Sequence, residues 1–220
     1  VGSYSAYSIC YADPCNAQSP NQLFAWGQNN LGQLGIGGFG PQTSTGIPTR
    51  VLNMTDVAYY SCGYVMGAIK NDKSGWVWGD IRIRSRPIST PIKVLDNCKF
   101  LDSGEDGTFF VKYDGTVWCV GENAGGEFGN GQSRSFHDTV PQQMQGITNA
   151  VRVASGFKVT GILLSDGTCM TVGTNTCGRL GINNTNDRYV AVAPEPVRNL
   201  TNIVDIKAVT GAFAALDNFG

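Results

Sequence analysis

The sequence predicts an all-β fold: a β-propeller of four-stranded antiparallel blades, with about four blades present. Three observations predict it. Glycine is abundant and charge scarce, with 29 glycines and 15% charged residues among 220, a balance that favours many turns over long solvated helices. One residue string recurs along the chain, and a second marker recurs in fixed phase with it. The composition also excludes alternatives. With 41% hydrophobic residues there is apolar surface to offset ordering entropy. A net charge of -1 gives no global attraction to a polyanion, so nucleic acid is not an expected partner.

The first string is Leu23-Phe24-Ala25-Trp26-Gly27-Gln28-Asn29-Asn30-Leu31-Gly32-Gln33-Leu34-Gly35. It returns as Val117 to Gly129 and again as Cys169 to Gly181, each with Gly, Asn, Gly and a final apolar-Gly pair at the same offsets. A shortened copy, Gly75-Trp76-Val77-Trp78-Gly79, runs straight into Asp80 to Arg86. The second marker is a glycine followed by an apolar run and an Asp turn, with the glycines at 2, 63, 104, 156 and 211. The expected units are therefore 2–62, 63–103, 104–155 and 156–210, with 211–220 opening another, at a propeller-like period.

Each unit reads as a small sheet. The apolar run, an Asp-Gly turn such as Asp114-Gly115 or Asp166-Gly167, and the following Trp-rich run form a hairpin, with Asp-Gly expected in a tight primed turn. The Asn-x-x-Gly segment reads as an ordered loop in which Asn bonds its own backbone two residues on. Pro48, Pro91, Pro141 and Pro196 then introduce a fourth run, as proline suits an edge strand. Such a unit cannot bury both faces alone, so neighbours must stack on it.

These repeats resemble those of the regulator of chromosome condensation (RCC) family, whose blades build a propeller, usually of seven. The resemblance implies the fold but leaves the function open. That family includes an exchange factor for a Ran-type GTPase, ubiquitin-ligase accessory domains, a plant ultraviolet-B photoreceptor and a β-lactamase inhibitor. Met66, Gly107, Val159 and Ala214 stand where family members often carry His. The photoreceptor's Gly-Trp-Arg-His-Thr string does not occur, so Trp26, Trp76, Trp78 and Trp118 read as blade packing.

Candidate chemistry is sparse. His137 is the single histidine, which weakens Ser-His hydrolysis and His-rich metal binding. Gly35-Ile36-Gly37-Gly38-Phe39-Gly40 matches a dinucleotide fingerprint by letter, but Pro41 and polar residues follow where a helix N-terminus is needed. Asp102, Glu105 and Asp106 form an acidic cluster, read as a strand end whose carboxylates accept local backbone bonds. Arg82, Arg84 and Arg86 fall on one face of an extended segment. They suit an anionic partner, although charge guarding an edge strand is the favoured reading. No catalytic residue, metal ligand or cofactor is expected.

Seven cysteines are many for a reducing compartment. Cys10 and Cys15 have the spacing of a local disulfide, and the pairing of the other five is open. No C-x-x-C occurs, which disfavours structural zinc. Asn53, Asn183 and Asn199 open N-glycosylation sequons, at a frequency that chance alone would produce. Together these features tilt the expected location to extracellular or lumenal, with cytoplasmic as the alternative. No apolar stretch is long enough for a membrane helix. Beginning at Val1 without a signal sequence, the chain is expected to be processed or part of something longer.

The expected function is a non-enzymatic interaction or structural module. Its partner is another protein, or further copies of the same chain joined head to tail, because Val1-Gly2 aligns with Thr210-Gly211. The alternative is guanine nucleotide exchange on a Ran-like small GTPase, supported by resemblance alone.

Overall fold

A computed structural model describes residues 5–11, 20–83, 86–185 and 189–219, with backbone alone for 5–11, 82–83, 134–138 and 189–192. The first sheet holds β1 (Ser5–Tyr11), β2 (Asn21–Gly27) and β3 (Thr45–Thr55). The second holds β4 (Val57–Ser61), β5 (Val65–Lys70), β6 (Gly75–Ile83) and β7 (Arg86–Leu95). The third holds β8 (Cys98–Ser103), β9 (Gly107–Lys112), β10 (Val117–Asn123) and β11 (Arg134–Gln143). The fourth holds β12 (Ala150–Gly156), β13 (Val159–Leu164), β14 (Cys169–Thr174) and β15 (Tyr189–Pro196). The fifth is the pair β16 (Ile203–Val209) and β17 (Ala212–Asp217). Every sheet follows chain order and every pairing is antiparallel. Three sheets thus have the expected four strands, and no α-helix occurs among the described residues.

The hairpin turn between second and third strands repeats in detail. Gly115 donates its N–H to Lys112 O, Gly167 to Leu164 O, and Lys73 to Lys70 O, at 3.0, 3.1 and 2.8 Å. Positive φ is confined to the fourth residue: Gly115 at 78°, Gly167 at 80° and Lys73 at 69°. The expected primed turn is therefore replaced by an ordinary turn closed by one left-handed residue. The aspartates cause this. Asp114 Oδ1 accepts Thr116 N–H at 3.0 Å and its hydroxyl at 2.6 Å, holding Asp114 at ordinary φ. Asp72 does the same with Ser74, and Asp166 accepts the Thr168 N–H. The chain of bonds reaches the strand: Ser74 and Thr116 hydroxyls accept from Trp76 and Trp118 Nε1 at 2.8 and 3.0 Å. Lys70 and Lys112 then cover those indole rings at 4.6 and 5.5 Å, a cation–π contact.

The hydrophobic cores lie between sheets. Leu23, Leu34, Met54, Met66 and Trp78 join the first sheet to the second. Val65, Ile69, Val77, Leu101 and Phe110 join the second to the third. Phe109, Cys119, Phe128, Val153 and Ile162 join the third to the fourth, and Leu163, Ile203 and Ile206 join the fourth to the fifth. Successive side chains of β5, β9 and β13 point to opposite neighbours, so all but the last residue of each is buried. Their unbroken apolar runs follow from coverage on both faces.

The last strands of the first four sheets, β3, β7, β11 and β15, each lie at a sheet edge with shifted register. Each contains its proline, as the missing N–H requires. Two expectations change. In the last hairpin Val209 pairs with Ala212 as Gly156 pairs with Val159, so Val209, rather than Gly211, takes the marker position. The arginine segment is not one extended strand: β6 ends at Ile83 and β7 begins at Arg86, with Ile83 and Arg86 paired. The sequence there lacks the Asn loop, and Arg82 and Arg86 stand on the two paired strands β6 and β7.

Candidate docking face at the loop end

Three Asn loops and the tips of the first hairpins gather at one end of the sheets. Each loop is organised by a buried asparagine. Asn29 Oδ1 accepts the Leu34 N–H at 2.9 Å while Nδ2 donates to Gly38 O and Thr43 Oγ1, both at 2.9 Å. Asn123 Oδ1 accepts from Phe128 N–H at 2.9 Å, and its Nδ2 donates to Gln132 O at 2.9 Å. Asn175 Oδ1 accepts from Leu180 N–H at 3.1 Å, and its Nδ2 donates to Asn184 Oδ1 at 2.8 Å. The expected bond two residues on is thus a bond five residues on, because the loop closes around the amide rather than beside it. In the second sheet the equivalent position is the buried Ile81, and the loop is absent.

The loops are also tied to the next sheet. Trp78 Nε1 donates to Gln33 O at 2.9 Å, and Thr160 Oγ1 donates to Glu127 O at 3.0 Å. Outward they present Asn30, Gly37, Phe39 and residues 131–133 to solvent. The result is a set of surface loops held from within by buried hydrogen bonds.

The acidic cluster resolves into ties between sheets. Asp102 Oδ1 accepts from the Ser61 hydroxyl at 2.9 Å and Oδ2 from the Ser155 N–H at 2.8 Å, so one side chain joins three sheets. Asp106 Oδ2 accepts the Lys158 N–H at 3.0 Å. Glu105 accepts from the Thr210 hydroxyl at 3.1 Å. These partners are distant in sequence, where local backbone bonds were expected. Burial raises Asp102 and Asp106 above the ordinary carboxylate range, and their hydrogen bonds pull the other way. No cluster of three metal-ligating side chains occurs among the described residues.

A row of inner-strand side chains has no counterpart in the sequence reading. Tyr59, Phe100, Arg152 and Asp205 share one register position on β4, β8, β12 and β16. Tyr59 and Phe100 rings lie 5.2 Å apart, Arg152 stands 5.1 Å over Phe100, and its Nε is 3.5 Å from Asp205. Only alignment of the repeats by strand register brings these four unlike residues together.

Asn53, Asn183 and Asn199 are all exposed, with φ of 61°, 66° and 59°. Asparagine tolerates this left-handed geometry, which accounts for the residue type at each position. Cys62, Cys98, Cys119, Cys169 and Cys177 are free thiols. Cys15, Arg84 and the side chains of Cys10, Arg82 and His137 lie outside the described residues, whereas Arg86 is exposed at the start of β7. The Gly35–Gly40 segment leads into a 3-10 turn at Pro41–Thr43, which has no helix dipole to offer a pyrophosphate.

Sheets in chain order, with cores between them and inner strands side by side, define a repeat β-propeller architecture. The family model described as "Regulator of chromosome condensation (RCC1) repeat" matches residues 21–66. The chain is 25% identical to the human "Probable E3 ubiquitin-protein ligase HERC6" over 199 residues, covering 84% of this chain and 20% of that protein. It is 28% identical to the Arabidopsis thaliana "Ultraviolet-B receptor UVR8" over 182 residues, covering 76% and 40%. Among solved structures, Prp20p from Saccharomyces cerevisiae, studied for binding to Gsp1p and histones, superposes with a TM-score of 0.70 at 17% identity, covering 90% and 52%. The chain is an RCC1-like repeat propeller. It spans two fifths or less of these two curated relatives.

Proposed function

We propose that the chain is a non-enzymatic protein-docking module whose working surface is the loop end. One observation carries this reading: the loops at 29–40 and 123–132 are locked from within by Asn29 and Asn123 while Phe39 and Gln132 remain exposed. Rigid loops lose little entropy on binding. The likeness to Prp20p, described by its binding to Gsp1p and histones, supports a protein partner. In a pull-down, F39S and Q132A are expected to lose the captured partner while Tm stays within about 2 °C of the parent. Retained capture by both variants would overturn the assignment of this face.

Assembly with a second copy is the other reading. Among the described residues β17 pairs only with β16, and a groove of about 520 Å³ beside it is lined by Met170, Leu180, Val197 and Phe213. At earlier seams the equivalent loop glycines are covered by the next sheet, Gly35 by Trp78 and Gly129 by Val172. The Phe24-Ala25-Trp26-Gly27 segment of another copy offers the same pattern. A monomer in light scattering at micromolar concentration excludes it. Guanine nucleotide exchange on a Ran-like GTPase has only the likeness to Prp20p behind it, and unchanged nucleotide release would dismiss it. An extracellular or lumenal location rests on the seven cysteines, the low charge and the exposed sequons at Asn53, Asn183 and Asn199 taken together. Intact mass of the native protein tests it by glycan additions, together with the Cys10–Cys15 bridge.

A further inference from the structure

The loop of the third sheet holds a carboxyl group at a position where its sister loops carry none. Glu127 stands in register with Gln33 and Arg179, and it is 1% exposed. Its Oε2 accepts the Gly125 N–H at 2.8 Å, just as Gln33 Oε1 accepts the Leu31 N–H at 2.8 Å. The second oxygen, Oε1, is buried without a hydrogen-bond partner. Gln33 places a neutral amide at this point; Glu127 places an acid.

The surroundings oppose ionisation. From the β8–β9 hairpin Asp106 faces the group, and from β10 come Glu122 and the buried Cys119. From the β12–β13 hairpin comes Lys158, whose Nζ lies 5.0 Å over the Phe157 ring. Two of these four groups are carboxylates, and no ion pair to Glu127 occurs among the described residues. Burial, with Asp106 and Glu122 adding to it, pushes Glu127 up to about 8, against the pull of hydrogen bonds from its own backbone and from the Gly125 N–H. The seam it occupies is narrow. Gly125 abuts Lys158, with a Cβ built there 2.6 Å from the lysine Cβ, and the Thr160 hydroxyl crosses the seam to Glu127 O.

We propose that Glu127 is carried as the neutral acid and acts as a proton-controlled latch between the 123–132 loop and the β12–β13 hairpin. Protonated, it lets the loop seat against the hairpin. Ionised, it puts a buried charge without a counter-ion in the seam, and the cheapest relief is for the loop to swing out and let water reach Oε1. The latch concerns the loop's order and is independent of what the loop binds.

Hydrogen exchange on the full chain tests this. Protection factors of the Gly125 and Phe128 amides, corrected for intrinsic rates, are expected to fall about tenfold or more between pH 6 and pH 9. In Glu127→Gln they are expected to stay level. Equal pH dependence in the two proteins, or level protection in the parent, overturns the latch. Should the variant fail to fold, infrared spectra of the parent decide: a protonated-carboxyl C=O band at pH 6 that disappears by pH 9 supports it, and the absence of that band at pH 6 overturns it.

Discussion

A buried asparagine amide does in each loop what a helix cap does elsewhere: it satisfies backbone groups that the turn leaves over. Asn123 is 5% exposed, and its removal strands the N–H of the buried Phe128. An unsatisfied buried polar group costs about 1–3 kcal/mol. Asn123→Ala is therefore expected to destabilise by about 1–3 kcal/mol in urea unfolding, whereas Asn30→Ala, at an exposed neighbour of Asn29, is expected to be near neutral. The importance of Asn29, Asn123 and Asn175 was legible in the sequence, because all three sit at the same offset after Gly27, Gly121 and Gly173. Their partner was not. A bond to the fifth residue on depends on how the loop folds over the amide, which spacing does not encode.

The hairpin is the unit in which local chemistry and stacking meet. Gly115 has φ +78°, and a Cβ there would lie 2.2 Å from Thr148 O. Gly146 has a similar φ of +72° with open space around it. Gly146→Ala is then expected to cost about 1 kcal/mol for its backbone alone, and Gly115→Ala about 3 kcal/mol or more, since the Thr148 backbone must also move. Urea midpoints of the two variants check the order, and equal values would show that the turn is free to shift. The Asp-Gly letters located these hairpins correctly but suggested the wrong turn, because the engagement of Asp114 with Thr116 is a side-chain preference that overrides the dipeptide rule. The Ile81–Arg86 segment failed for a related reason: alternating arginines fit a single strand, and nothing local marks the antiparallel pairing of Ile83 with Arg86.

For the whole molecule, pH integrates these sites. Asp102, Asp106 and Glu127 are all raised by burial, so the folded chain holds protons that the unfolded chain releases. Their stabilisation is complete below the ordinary carboxylate range and is lost as pH rises, for Glu127 until about 8. Asp72, Asp114 and Asp166 are lowered by their Ser or Thr hydrogen bonds. They act oppositely, losing stabilisation as pH falls, but stand in solvent, where such effects are screened. Unfolding free energy, and with it Tm, is accordingly expected to decline from pH 5 to pH 8, with Glu127 accounting for roughly 3 kcal/mol of the free-energy loss and E127Q flattening the slope. A Tm that rises over this range would contradict the balance. The period of the repeats made the architecture legible in the sequence, while the ties of Asp102 to Ser61 and Ser155 were hidden because they join residues 41 and 53 positions apart. That the cores lie between sheets has a consequence for biosynthesis. A sheet leaving the ribosome has no second wall until the next repeat follows, roughly fifty residues later, which at about 5–20 residues per second is a delay of several seconds. During that interval Leu23, Leu34 and Met54 wait for Trp78, and the nascent chain offers chaperones one greasy flank at a time.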